Sequence, residues 1–184
     1  MSDRCVPRGR ALSTQSRTER GAVAVEFALV LPILVMLLFG ITSAGLSYTN
    51  AIGVTNAVRE GARFGATTAY AVATPTVWPN DVITRVRATQ FDDGTTLATS
   101  TTAVCAELWK VGATAPTTSA CSTSGNTPAL AVSSTAPSLT GMAAGTCVVR
   151  VRAARFFEIQ TIVAPPWKRT VIRTSVAKGE RATC

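Results

Sequence analysis

From Phe27 to Ile41 no side chain is charged or hydroxylated, and this run limits what the chain can fold into more than any other feature. Extended outward to Ala22 and Leu46, it admits only Glu26, Thr42 and Ser43 as polar interruptions. A helix needs about 20 mostly apolar residues to cross the hydrocarbon core of a bilayer, so 22–46 is long enough to span one with some tilt. Pro32 and Gly40 would end or weaken a soluble helix but are tolerated in a membrane helix. The reading is a single transmembrane helix with one carboxylate, Glu26, near its N-terminal end. An acid at the centre of a span costs about 2.5–3.5 kcal/mol on insertion scales and less near an interface. The positive end of the helix dipole lowers that cost further. Glu26 is therefore either a tolerated interfacial acid or an acid with a task.

The segment in front of the span is short, Arg-rich and without apolar periodicity, and reads as a leader rather than as part of the fold. Met1–Gly21 holds five arginines against Asp3 and Glu19, which leaves 13 basic and 8 acidic side chains beyond it, a net of +5. Arginines before the span suit the positive-inside rule and place the N-terminus in the cytoplasm, with the C-terminal part extracytoplasmic. The rival is an ordinary secretory signal cut after Thr42-Ser43-Ala44, for which the apolar run is at the long end. The remaining positive charge is scattered, with no basic stripe interleaved with aromatics, which argues against nucleic acid as a partner.

Past Leu46 the helical pattern continues. Ile52, Val54, Ala57, Val58, Gly61, Ala62 and Gly65 recur at steps of three and four, an amphipathic stripe, and Glu60 and Arg63 lie one turn apart on its polar side. A helix from Ala22 to about Ala66 would measure roughly 65 Å, half in the membrane and half outside. The stripe is built from small residues, which let another backbone approach closely. The bland partner is the chain's own sheet, the functional one a neighbouring subunit, and the first is favoured because a domain must cover its own helix.

Pro75, Trp78 and Pro79 mark a break, and Val82, Ile83 and Val86 within 80–90 predict a short second helix ended by the turn Asp92-Asp93-Gly94. From Thr95 to Thr146 the chain is mostly Thr, Ser, Ala, Gly and Pro, a composition of long loops, with one strand over Ala103–Val111. Thr146–Ala153 and Thr170–Ala177 read as further strands from their β-branched residues and partial alternation, separated by a corner at Pro165-Pro166-Trp167. The domains are a leader at 1–21, a span at 22–46, an extracytoplasmic continuation of the helix at 47–70 and a small exported domain at 71–184. The fold class is α+β, one long helix leading into a small antiparallel sheet.

Five cysteines occur, and Cys5 falls in the leader. Cys105, Cys121, Cys147 and Cys184 remain, an even number on the exported side, suited to two disulfides in an oxidising compartment with three connectivities open. Cys105–Cys121 and Cys147–Cys184 is the favoured pairing, since the near pair closes the weakest loop and the other ties the C-terminus to a strand. With no histidine and no C-x-x-C pair, a metal site is disfavoured. The same absence removes Ser-His-Asp and Cys-His catalysis. Phosphate-binding glycine loops are missing too, so neither an enzyme nor a cofactor is expected.

The run Arg20-Gly21-Ala22-Val23-Ala24-Val25-Glu26-Phe27-Ala28-Leu29-Val30-Leu31-Pro32 is similar to a type IV prepilin processing site, a basic leader ending in Gly followed by four apolar residues and Glu. It resembles the opening of the TadE-like family of the Tad (tight adherence, Flp-type) pilus system, and 56–66, Asn-Ala-Val-Arg-Glu-Gly-Ala-Arg-Phe-Gly-Ala, resembles that family's second block. The resemblance covers roughly 20–66 and implies a pilin-like fold and a structural role as a minor pilin or pseudopilin. It further implies cleavage between Gly21 and Ala22 by a prepilin peptidase, and assembly through Glu26 and Phe27 with other pilin or pseudopilin subunits and Tad assembly proteins. Glu26 would neutralise the freed amine of Ala22 on a neighbouring subunit. The alternative is a single-span envelope protein whose exported domain binds a ligand or surface, with membrane lipid as partner and no filament role.

Overall fold

The computed structural model describes residues 17–68, 76–89, 96–97, 102–122, 130–137, 141–159, 167–180 and 184. The leader up to Ser16, the turn at Asp92-Asp93-Gly94 and the corner at Pro165-Pro166 lie outside them. The elements are α1 (Arg17–Thr67), α2 (Val77–Arg87), β1 (Thr102–Lys110), β2 (Thr118–Ser122), β3 (Cys147–Ile159) and β4 (Trp167–Lys178), an α+β arrangement. The chain divides into two compact units, Met1–Thr42 and Ser43–Cys184, and α1 contributes to both.

In the first unit α1 runs through Pro32 without ending, and every side chain from Gly21 to Thr42 is exposed. A helix satisfies its own backbone, so a large apolar surface can stand uncovered by the chain only where something other than water meets it. Thr42, at the polar end, turns its hydroxyl back to the Leu38 carbonyl at 2.8 Å. It thereby removes a donor that an apolar surrounding would leave unmet. Among the described residues, α1 is the one helix long and apolar enough to cross a membrane.

In the second unit the sheet has the order β2-β1-β3-β4 and is antiparallel throughout. One face carries Val104, Ala106 and Leu108 of β1 and Val149, Val151 and Ala153 of β3, packed with α1 and α2. The helical stripe supplies Val54, Ala57, Val58, Ala62 and Ala66, and α2 supplies Trp78, Val82, Ile83 and Val86. Ile52 does not belong to the stripe, for it is 42% exposed. Two residues before Val54 is about 200° around the helix, so Ile52 points away from the face that Val54 buries.

The small residues of the stripe serve this packing. A Cβ on Gly61 would stand 2.1 Å from Val86 Cγ2, and one on Gly65 would meet Val149, Val82 and Trp78 at 3.0–3.1 Å. The Trp78 indole donates to the Gly65 carbonyl at 3.2 Å. Small side chains at 61 and 65 thus let α2 and β3 reach α1, which is the own-sheet alternative rather than a neighbouring subunit.

The boundaries of α2, β3 and β4 differ from the sequence expectation, β4 starting at Trp167 within the expected corner, and one strand was not expected at all. α2 starts at Val77 and takes Pro79 into its first turn, where a missing N–H breaks no helical hydrogen bond. β3 extends past Ala153 to Ile159 because β4 pairs with it over its whole length. The Thr/Ser/Ala-rich stretch holds a strand, β2, paired with β1 from Val104↔Ser122 to Leu108↔Thr118.

Candidate processing and assembly site

The Gly21–Ala22 peptide lies inside α1, which begins at Arg17. Nothing approaches within 4 Å of the position a Gly21 Cβ would take. A glycine inside a helix costs about 1 kcal/mol relative to alanine, so this turn is held less firmly than it would be with alanine in its place. Ala22 and Glu26 are four residues apart, one helical turn on the same face, with the two positions about 6 Å apart along the axis. Glu26 is exposed and makes no ion pair or side-chain hydrogen bond among the described residues. Phe27, the next residue, is 60% exposed. The four positions therefore form a surface on one exposed turn and a half, with nothing placed over it among the described residues.

The cysteines are brought together in two bridges, Cys105–Cys121 and Cys147–Cys184. Cys105 and Cys121 are direct cross-strand partners of β1 and β2. Cys147 opens β3, and Cys184 reaches it after β4 has ended, closing a separation of 37 residues.

Sequence reasoning missed a cluster on the sheet face away from the helices. Glu107 of β1 is fully buried opposite Arg150 of β3, itself 6% exposed. Arg150 donates Nε to Glu107 Oε2 at 2.7 Å and also pairs through Nη2. The Trp109 indole donates to the same oxygen at 2.8 Å, and the Ser133 backbone N–H donates to Oε1 at 3.1 Å. Arg150 Nη1 reaches the Thr135 carbonyl at 2.6 Å, and its guanidinium carbon stands 4.8 Å from the Trp109 ring centroid. Arg152 adds an ion pair to Oε1 at 3.8 Å and a hydrogen bond to the Ala131 carbonyl at 3.0 Å. Both carboxylate oxygens are engaged, which is the condition under which a buried charge is tolerable. The cluster fastens residues 130–137, with Leu130 buried against Ala103, Cys105 and Ala154, over a sheet face that would otherwise be apolar and bare. Its one local signal is an acid in the middle of an apolar strand; the partners come from the register, which sequence does not display.

Among the described residues no group of three His, Cys, Asp or Glu side chains is placed to hold a metal ion. No curated protein matches the chain, and no solved structure does. Over residues 21–63, which contain the glycine, the glutamate, the span and most of the second block, the chain matches the family model for TadE-like protein, the family its N-terminal motif resembles.

Proposed function

We propose that the protein is a structural minor pilin or pseudopilin of a Tad-type pilus system, not an enzyme, released from its leader between Gly21 and Ala22 by a prepilin peptidase. The observation that carries this reading is the state of Glu26: a carboxylate on an uncovered apolar helix, inside the family match, with no partner among the described residues. An acid among packed apolar helices is tolerable when a cation meets it. Cleavage at Gly21 makes such a cation, the amine of Ala22 on an adjacent subunit. The exposed Phe27 and the apolar residues behind it supply the rest of the contact, first to lipid and then to neighbouring helices. The fold supports this division, since the exported unit covers its own half of α1 and leaves the other half bare.

The test is N-terminal sequencing of the mature protein together with fractionation of Glu26→Leu between membrane and sheared filament. The expected result is Ala22 as first residue, normal cleavage of the variant and its exclusion from the filament fraction, with Glu26→Asp partly incorporated. A mature protein that begins at Met1 or Ser2 would make the chain a plain anchored envelope protein. Normal incorporation of Glu26→Leu would remove the assembly role of the acid.

A further inference from the structure

A groove lies at the end of the apolar run, and the assembly reading does not use it. Ala44, Ser47 and Tyr48 of α1, with Arg169, Thr170 and Val171 of β4, line an open cavity of about 410 Å³. Val171 packs onto the core and closes the inner side, while Tyr48 is 69% exposed. Arg169 and Val171 are alternate residues of β4, so both are on its helix-facing side. Arg169 makes no ion pair or side-chain hydrogen bond among the described residues. The nearest acid in the ladder, Glu158, stands opposite Lys168 on the other face of the strand pair, so it does not neutralise Arg169.

The position of this groove along α1 gives it a chemistry. The last apolar residue of the run is Leu46, so Ala44–Tyr48 is where a spanning helix passes from hydrocarbon to headgroups. An exposed tyrosine is favoured at that depth because its ring is apolar and its hydroxyl is wet. A guanidinium at the same depth presents paired N–H donors that match phosphate oxygens. Ala44 and Ser47 are small, which leaves room along the helix for a glycerol backbone and the start of an acyl chain.

We propose that this groove binds the headgroup of an anionic phospholipid, with Arg169 on the phosphate and Tyr48 beside the glycerol and upper acyl chain. The proposal rests on α1 spanning the membrane. It would fix the exported unit at the bilayer surface before assembly and would give the chain a preference for anionic lipid on that side.

The full chain is reconstituted in vesicles of equal parts phosphatidylcholine and phosphatidylglycerol, floated, extracted into mild detergent, and its retained lipids are counted by native mass spectrometry. Wild type is expected to keep phosphatidylglycerol in preference to phosphatidylcholine. Arg169→Gln should lower the retained phosphatidylglycerol about fivefold, the effect of one cation at an anionic surface. Arg169→Lys should keep part of the preference, and Lys178→Gln, at the far end of the same strand, should keep all of it. Ala44→Trp, which fills the groove while leaving Arg169 in place, should lose it. Arg169→Gln or Ala44→Trp retaining as much phosphatidylglycerol as wild type overturns the proposal, as does an equal loss in Lys178→Gln. Displacement of the retained lipid by inorganic phosphate would show a free-anion site and overturn it too. A chain that does not float defeats the spanning reading and the lipid site with it; one that floats without lipid preference defeats the site alone.

Discussion

The units on either side of Thr42 and Ser43 solve the same problems in opposite ways. Each holds a carboxylate among apolar side chains. Glu26 has no partner among the described residues, whereas Glu107 accepts from Arg150, Trp109 and Ser133. Each has glycines in α1. Gly21 and Gly40 have open space where a Cβ would be, whereas Gly61 and Gly65 are crowded by α2 and β3. Each has apolar helix surface, bare from Gly21 to Thr42 and covered from Val54 to Ala66. Among the described residues the second unit supplies the partners of its own buried groups, whereas the exposed apolar surface and the carboxylate of the first unit have none there.

The contrast breaks most sharply at the two carboxylates. Glu107→Ala should destabilise the second unit by about 3–5 kcal/mol, because it leaves Arg150 buried without its counterion. Glu107→Leu combined with Arg150→Met should regain much of the loss. Thermal unfolding followed by circular dichroism reads both, and a Glu107→Ala melt equal to wild type would show that the cluster is dispensable.

The disulfides come next in size. Opening Cys147–Cys184 with a double serine substitution should cost about 4 kcal/mol, and opening Cys105–Cys121 about 3 kcal/mol, since the longer loop gains more freedom when unfolded. Denaturant titration of each variant measures the two costs, and a reversed order would mean that strain or residual structure outweighs loop length.

A smaller effect distinguishes the glycines. Gly61→Ala should cost about 1–3 kcal/mol through its collision with Val86, despite alanine's better helix propensity. Gly40→Ala should leave the melting of the second unit where it was. A Gly61→Ala protein as stable as wild type would show that Val86 yields and that the close approach is not required.

The smallest effect expected is that of Glu26→Leu on the stability of the second unit, which should be none within error. A shift in that melt would mean that the two units depend on each other, and the contrast would lose its basis.

What could be read from the sequence was whatever repeats locally. The apolar run, the small-residue stripe and the glycine-to-glutamate spacing are patterns within one helix, and α1 carries them as expected. The strand expected over Ala103–Val111 is β1, shifted by one residue, and the one expected over Thr146–Ala153 from its β-branched residues is the first half of β3. β2 was not, because Thr-Ser-Ala-Cys-Ser has little strand preference and is held by β1 and the Cys105–Cys121 bridge. The Glu107–Arg150 pair is separated by 43 residues and exists only in the β1–β3 register, where a shift of one residue would put the two on opposite faces. Pro75, Trp78 and Pro79 read as a break because prolines punctuate sequence more strongly than they punctuate the first turn of a helix, and Trp78 and Pro79 are in that turn.

The way the chain ends has a mechanical consequence. After β4, the Gly179 N–H donates to the Cys147 carbonyl at 2.8 Å, the Glu180 N–H donates to the Ala66 carbonyl at 3.0 Å, and Cys184 is bonded to Cys147. The last turn of α1, the first residue of β3 and the tail are thereby gathered at one point. The β3–β4 pair lies inside the loop that Cys147–Cys184 closes, so the chain between 147 and 184 cannot pay out when that point is loaded.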